Sequence, residues 1–335
     1  MVQIVENTLR DGSYVIDFQF SEKQTGDIVS GFDQLGFDYV EIGHGLGLGA
    51  WNNPTTGLAK ESDDAYINSA VSNRTNTKIG VFFIPGIGSY KDIDKASKLG
   101  IDFIRIGINI DDFALTKPFA EYAKKKGLMV CVNLMKSYAV KSYEFSNIVK
   151  QIDAWELADV IYLVDSAGCM MPNDVFEYLD RSKELIKTNL GFHGHNNLML
   201  GVANSMQAIQ AGATFVDTCT LGMGRSAGNA QTEVFIHVLN TLGLNHKEID
   251  LYDLYDFANK YIAPLMPSKQ GLSDEEIHIG VSKFHTSYMK YVSAASSKYN
   301  VEKRKLIKEV SDINCLNPEE ELFYQIASDL GNGNK

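Results

Sequence analysis

Cysteine is scarce in this sequence. Only four occur in 335 residues, Cys131, Cys169, Cys219 and Cys315, and no two stand close enough for a CxxC or zinc-knuckle spacing. Cys131 and Cys219 lie inside strand-like runs, where small buried thiols are expected. Long apolar runs are missing as well. No stretch of about 18 apolar residues offers a membrane span. The N-terminus reaches Glu6, Arg10 and Asp11 without the apolar core of a secretory signal, so a cytoplasmic, reducing location is expected. Basic residues are outnumbered, 31 against 42 acidic, for a formal net charge of -11. That excludes the basic footprint that nucleic acid or an anionic membrane surface requires. The glycine-rich first turn of a dinucleotide-binding fold is also absent.

What is present is an ordinary globular composition, 44% hydrophobic and 22% charged, arranged in a repeating pattern. Short β-rich runs fall at residues 3–7, 39–43, 78–84, 103–108, 128–134, 160–164, 191–195 and 214–220. Several are near-continuous Val/Ile/Phe, as in strands buried on both faces. Helix signals separate them. Ser21 with Gln24 reads as a capping box, and Pro172-Asn173-Asp174 as a helix start. Gly36, Gly100, Gly127 and Gly212 stand where helices should end ahead of strands. Eight such units in roughly 240 residues predict an α/β fold, a (β/α)8 TIM barrel of the usual ~250-residue size, over residues 1–262. A doubly wound sheet is the alternative. Beyond 262 the strand signals stop, Pro264 and Pro267 interrupt the chain, and helices are expected over 277–299 and 319–330. These form a small helical C-terminal domain, 263–335, whose last residues, 331–335, are expected to fray.

Barrel active sites lie at the C-terminal strand ends, so polar residues there are the candidates. Strand one runs into Arg10 and Asp11, strand two ends at Glu41 and His44, strand five at Asn133, and strand six at Asp165-Ser166. Strand seven carries His193 and His195, and strand eight leads into a glycine-rich stretch from Gly222 to Asn229. His193 and His195, two apart on one strand, face the same side. With Asp11 they make a two-histidine, one-carboxylate metal site with open positions, the arrangement a metal needs to polarise a bound carbonyl. The alternative is a structural histidine pair. Arg10 reads either as a bridging arginine or as a cation for a developing enolate oxygen. The stretch 222–228 is either an anion cradle or a flexible turn, and His44 reads as structural.

The segment Asn7-Thr8-Leu9-Arg10-Asp11-Gly12-Ser13 resembles the strand-one signature of the DRE-TIM metallolyases, the superfamily of HMG-CoA lyase-like enzymes. The run GFHGHNNLMLGVANSMQAIQAGATFVDTCTLGMGRSAGNAQTE (191–233) resembles their strand-seven and strand-eight signature. With VEIGHGLGLG after strand two, Asp165-Ser166-Ala167-Gly168 after strand six and the helical C-terminus, the resemblance spans nearly the whole chain. It is nearest to the 4-hydroxy-2-oxovalerate aldolases. The resemblance implies a divalent metal, Mn2+ or Mg2+, on Asp11, His193 and His195, with Asn229 as an additional ligand or a support behind the ligands. It implies that Arg10 stabilises a pyruvate enolate and that Ser166 lies near the keto acid. The substrates would be a small keto acid and an aldehyde, and the partners an acylating aldehyde dehydrogenase and further copies of the chain.

Two positions depart from that pattern. The aldolases carry a catalytic histidine where this chain has Tyr14, and a site tyrosine where it has His285. The exchange suggests that His285 moves the proton, with Tyr14 as its hydrogen-bond partner or acid, because tyrosine is a poor base near neutrality. The changed residues flank the aldehyde half of the substrate, so an aldehyde larger or more polar than acetaldehyde is expected. Three rivals stand beside this reading: an acyl-CoA-dependent condensing enzyme of the isopropylmalate synthase type, a metal-dependent hydrolase, and a catalytically inactive barrel kept as a binding partner.

Overall fold

The computed structural model describes residues 2–244, 249–268 and 273–333. Eight parallel strands close into a barrel in chain order: β1 (Gln3–Glu6), β2 (Tyr39–Ile42), β3 (Lys78–Phe83), β4 (Phe103–Asn109), β5 (Met129–Met135), β6 (Val160–Asp165), β7 (Asn189–Gly194) and β8 (Phe215–Thr218). β1 pairs with β8 from Gln3↔Phe215 to Glu6↔Thr218 and seals the cylinder. The (β/α)8 barrel read from the sequence is the fold the chain adopts. Strand ends shift by a few residues. The expected strand 214–220 shortens to Phe215–Thr218, and the seventh begins earlier and stops at Gly194. His195 falls just past β7, where its backbone bridges to Asn229.

Eight helices pack around the strands: α1 (Glu22–Leu35), α2 (Asp63–Ser72), α3 (Tyr90–Leu99), α4 (Lys117–Lys125), α5 (Ser142–Asp153), α6 (Pro172–Lys183), α7 (Gly201–Gln210) and α8 (Thr232–Thr241). The local chemistry accounts for their ends. Ser21 Oγ accepts the Gln24 amide at 3.2 Å while Gln24 Oε1 accepts the Ser21 amide at 2.8 Å, a reciprocal cap of a kind worth about 1 kcal/mol. Gly36 and Gly100 end α1 and α3 at φ 90° and 95°, where a side chain would be strained. Their apolar faces meet the outer barrel wall in two large clusters, one centred on Phe32, Val40 and Phe83 and the other on Phe145, Leu163 and Phe192. No described helix is long and apolar enough to cross a membrane.

After α8, α9 (Leu251–Phe257) continues as a π-turn over Ala258–Ile262, and Leu265 and Met266 still pack against the barrel cluster. Four more helices follow: α10 (Asp274–Val281), α11 (Met289–Tyr299), α12 (Lys303–Ile313) and α13 (Glu320–Gly333). They share an apolar cluster of their own, including Ile279, Phe284, Val292, Leu306, Val310 and Phe323. The single helix expected over 277–299 is broken. Lys283 is left-handed at φ 56°, and His285 sits in an extended turn before the 3-10 segment Thr286–Tyr288. Helix α12 was not foreseen, although Leu306, Ile307 and Val310 mark its buried face. The expected fraying at 331–335 is also corrected for 331–333, which continue α13, while 334–335 lie outside the described residues.

Inside the barrel, period-two alternation turns every second side chain inward. The floor is apolar: Val5, Tyr39, Phe103, Cys131, Tyr162 and Phe215 form one cluster. The layer above it is charged, where barrels usually stack branched aliphatics. Arg105, fully buried, donates to Glu41 Oε2 at 3.0 Å and to Asn7 Oδ1 at 3.2 Å, pairs with Asp217, and lies 4.5 Å over the Tyr162 ring. Burial opposes its charge, but Asp217 and Glu41 outweigh burial and hold its proton more firmly than usual. Replacing Arg105 by methionine leaves Asp217 buried without its arginine and Glu41 with Arg10 alone, and is expected to cost about 3–5 kcal/mol of stability. Urea unfolding checks this, and the triple change Arg105→Met, Glu41→Gln, Asp217→Asn should recover part of the loss.

Candidate active site

Above the charged layer, at the C-terminal ends of the strands, opens a cavity of about 220 Å³. That is below the ~300–1,000 Å³ of drug-sized ligand sites and suits a small organic acid. Arg10, Asp11, Tyr14, Ser166, His193, His195 and His285 all line it. The sequence-predicted set therefore converges on one place, from β1, β6, β7 and the turn between α10 and α11.

Asp11 opens a 3-10 turn, Asp11–Ile16, separated from the end of β1 by four residues. Gly12 permits it, because a Cβ there would come within 2.9 Å of the Met223 carbonyl. His193 Nδ1 lies 2.7 Å from Asp217 Oδ2, and His195 Nδ1 lies 3.2 Å from the Arg225 carbonyl oxygen. With Asp217 and a carbonyl as acceptors, each Nδ1 is assigned the proton, which leaves both Nε2 lone pairs free. Those Nε2 atoms stand 3.8 and 4.0 Å from Asp11 Oδ2. The gaps are too long for hydrogen bonds but within reach of two bonds of about 2.1 Å to one shared ion. The three donor atoms lie within 4.8 Å of one another. Burial raises the Asp11 carboxyl, yet Arg10, His195, His193 and the Asn229 amide hold it well below the ordinary range, ionised. Burial lowers His195 to about 4, so it stays neutral. A deprotonated carboxylate and two imidazoles with oriented backing groups fit a divalent cation.

Asn229 donates to Asp11 Oδ2 at 2.6 Å, and its own Oδ1 is buried without a partner among the described residues. It supports Asp11 from behind. Arg10 donates through Nε to Glu41 and through Nη1 to Asp11, both at 2.8 Å, with Phe82 below its guanidinium. Ser166 Oγ accepts the Lys136 amide at 2.9 Å. Tyr14 fits because Gly45 beside it has no side chain, as a Cβ there would fall 2.3 Å from the Tyr14 ring. Burial raises the Tyr14 phenol, which keeps it protonated. His285 Nδ1 bonds the Ser287 hydroxyl at 2.7 Å, and its Nε2 faces Arg225 Nη1 at 3.4 Å. Burial, then the charges of Arg225 and Lys136, hold it well below the usual histidine range, so its lone pair is available at neutral pH.

The loop 222–228 is a folded turn, since the amides of Met223, Gly228 and Asn229 donate to carbonyls of neighbouring residues. His44 is structural. It takes the Leu46 amide on Nδ1 and faces the Gly57 carbonyl with Nε2, both at 3.0 Å, and stacks on Phe18. Sequence reasoning assigned nothing to Arg105, Asp217, Lys136 or Arg225. Arg105 carried a signal, a charge inside the apolar run FIRIGI. Lys136 carried none, because its partners Tyr288 and Leu316 lie more than 150 residues away.

A model of the HMGL-like family matches residues 1–260. The 4-hydroxy-2-oxovalerate aldolase of Carboxydothermus hydrogenoformans is 32% identical over 334 residues, covering 100% of this chain and 98% of that protein. The aldolase of the same name from Bacillus cereus is 31% identical over 329 residues, 98% of this chain and 96% of that protein. Among solved structures, the N-terminal domain of a putative aldolase from Bacteroides vulgatus superposes with a TM-score of 0.73 at 27% identity, over 87% of this chain and 97% of that one. The carboxyl transferase domain of Rhizobium etli pyruvate carboxylase reaches 0.79 at 13% identity, over 98% of this chain and 61% of that one, and shares the fold.

Two outcomes follow from the geometry. Asp217→Asn removes the negative charge behind His193 and should weaken Mn2+ binding about 10–100-fold, with Asp11→Asn weaker still, measured by calorimetry. For His44, burial lowers the imidazole to about 4, against ~6.5 unfolded. The unfolded state thus takes up the proton first, and stability falls as pH drops from about 6.5 to about 4. His44→Gln should lose less stability across that window in urea melts at stepped pH.

Proposed function

The chain belongs to the HMGL-like family of carbon–carbon lyases, and we propose that it is a divalent-metal-dependent aldolase that cleaves or forms a 4-hydroxy-2-oxo acid through a pyruvate enolate. The observation that carries this reading is the convergence of two backed imidazoles and an ionised carboxylate beside Arg10 on the floor of one small cavity. Mn2+ or Mg2+ on Asp11, His193 and His195 would supply Lewis acidity to the keto oxygen of the substrate. The names of the full-length relatives support the substrate class.

The remaining work falls to side chains. Arg10 is pinned by Glu41 and Asp11, so its other N–H groups are pre-aimed at the oxygen where enolate charge develops. Ser166, whose Oγ takes the Lys136 amide, keeps its O–H for the keto acid. In cleavage, His285 Nε2 takes the proton of the C4 hydroxyl, the C3–C4 bond breaks, the aldehyde departs, and C3 of the enolate is protonated. In condensation the same nitrogen takes a proton from the pyruvate methyl group. Neutral His285 suits the base and protonated Tyr14 the acid. They flank one arginine: Tyr14 lies 5.1 Å below the Arg225 guanidinium, and His285 Nε2 meets it on the other side. The small cavity favours a short aldehyde over an acyl-CoA acceptor.

Pyruvate incubated in D2O with the Mn2+-loaded protein should lose its methyl proton signal by NMR. Asp11→Asn should abolish the exchange, and His285→Ala should slow it by about 10²–10⁴. Full exchange in His285→Ala removes that residue from proton transfer. No exchange in wild type with the metal bound moves the acyl-CoA condensing enzyme and the inactive barrel ahead.

A further inference from the structure

Within the barrel, cations answer anions in close pairs. Arg10 and Arg105 share Asp11, Glu41 and Asp217. A divalent ion and the carboxylate of one keto acid would complete that balance. Two further cations on the same cavity stand outside it. Among the described residues, neither Lys136 nor Arg225 has a carboxylate within 4 Å. Lys136 is only 3% exposed, and a buried ammonium without a counter-ion is costly unless something else compensates it.

Its placement is specific. The Lys136 backbone is left-handed at φ 57°, a conformation unfavourable for a long side chain and found where surrounding structure imposes it. Nζ donates to Tyr288 Oη at 3.0 Å and to the Leu316 carbonyl at 2.5 Å, which leaves its third N–H unassigned. The nearest acid that acts on it, Asp111, does so from beyond 4 Å and accepts the Asn317 amide instead. Lys136 follows β5, which stands four strands from β1 on either path around the closed barrel. It therefore faces Asp11 across the mouth. Arg225, from the loop after β8, rests on Tyr14 and His285, the two residues beside the aldehyde half.

We propose that Lys136, across the mouth from Asp11, and Arg225, reaching in from the loop after β8, form an anion subsite on the cavity wall, and that the aldehyde half of the substrate carries a carboxylate or phosphate which this subsite binds. The inference rests on the aldolase reading for which half of the substrate is meant, but the subsite itself does not. A chain of a few carbons joins the two ends, with the keto acid at Asp11, His193 and His195 and the second anion at Lys136.

The test compares two ligands differing by one group. 2-Oxoadipate and 2-oxohexanoate have the same carbon count and differ in a terminal carboxylate against a methyl. Titrated calorimetrically into the Mn2+-loaded protein, the dicarboxylate should bind at least about tenfold tighter. Lys136→Met and Arg225→Gln, on separate elements, should each reduce that preference about tenfold. Equal affinities in wild type, or a preference that survives both substitutions, overturns the proposal. Succinic semialdehyde and glyceraldehyde 3-phosphate, offered with pyruvate, then identify the anion by the larger kcat/KM. If the preference stands while pyruvate exchange in D2O is absent, the subsite holds and the aldolase reading falls.

Discussion

Arg105 holds the centre of this molecule. Its guanidinium is divided between Glu41 on β2 and Asp217 on β8, and each carboxylate has a second task. Glu41 fixes Arg10 at the cavity floor, and Asp217 fixes the ring of His193. One buried cation thus sets the orientation of Arg10 and of His193, the two side chains that flank Asp11. Such a network is not an economical way to stabilise a barrel, since an apolar layer of equal volume is often as stable or more so. Its value lies in orientation: a ligand whose second nitrogen is already bonded has less freedom to lose when the ion arrives.

The sequence carried the architecture because barrel architecture is a matter of repetition. Eight buried runs, four of them with a glycine stop ahead, leave few alternatives, and the C-terminal ends of those runs bring together Asp11, His193 and His195, although the histidines lie 182 and 184 residues beyond the aspartate. Strand ends were less legible. His195 lies past β7 because its backbone already pairs with Asn229, a contact between loops that no periodicity announces. The turn at His285 was hidden for a similar reason. The stretch 277–299 reads as helical by local propensity, but Gly280 packs α10 against Asn197, where a Cβ would come within 3.0 Å. Lys283 then breaks the helix so that His285 can face the barrel. Tertiary contact overrode local preference at the one place where a helix would have turned the side chain elsewhere.

The exchange of Tyr14 and His285 relative to the resembling aldolases has a physical sense in this setting. Position 14 lies on the floor side, wedged against Gly45 under the Arg225 guanidinium. A histidine there would press a titratable ring against that cation and close to a divalent site, which favours the neutral form but crowds it. A phenol tolerates the cation over its face and gains from it. Position 285 is partly exposed and tethered through Nδ1 to Ser287, which leaves Nε2 directed at the cavity. On the proposed reading, the base sits on the wall where its Nε2 faces Arg225 and the cavity, and the aromatic acid on the wall where its ring takes that cation over its face.

A charged aldehyde would also change what the protein needs from its neighbours. The resemblance implies an acylating aldehyde dehydrogenase that receives a volatile product directly. Direct transfer protects a small neutral aldehyde, which otherwise diffuses through membranes and evaporates. An aldehyde bearing a carboxylate or phosphate does neither, because transferring the charge into hydrocarbon is prohibitive. Lys136 and Arg225 therefore bear on more than specificity. If their cavity wall selects an anion, the physical reason for a permanently docked dehydrogenase weakens. The product is then one that an independent enzyme reaches by diffusion, with its own cationic site to collect it.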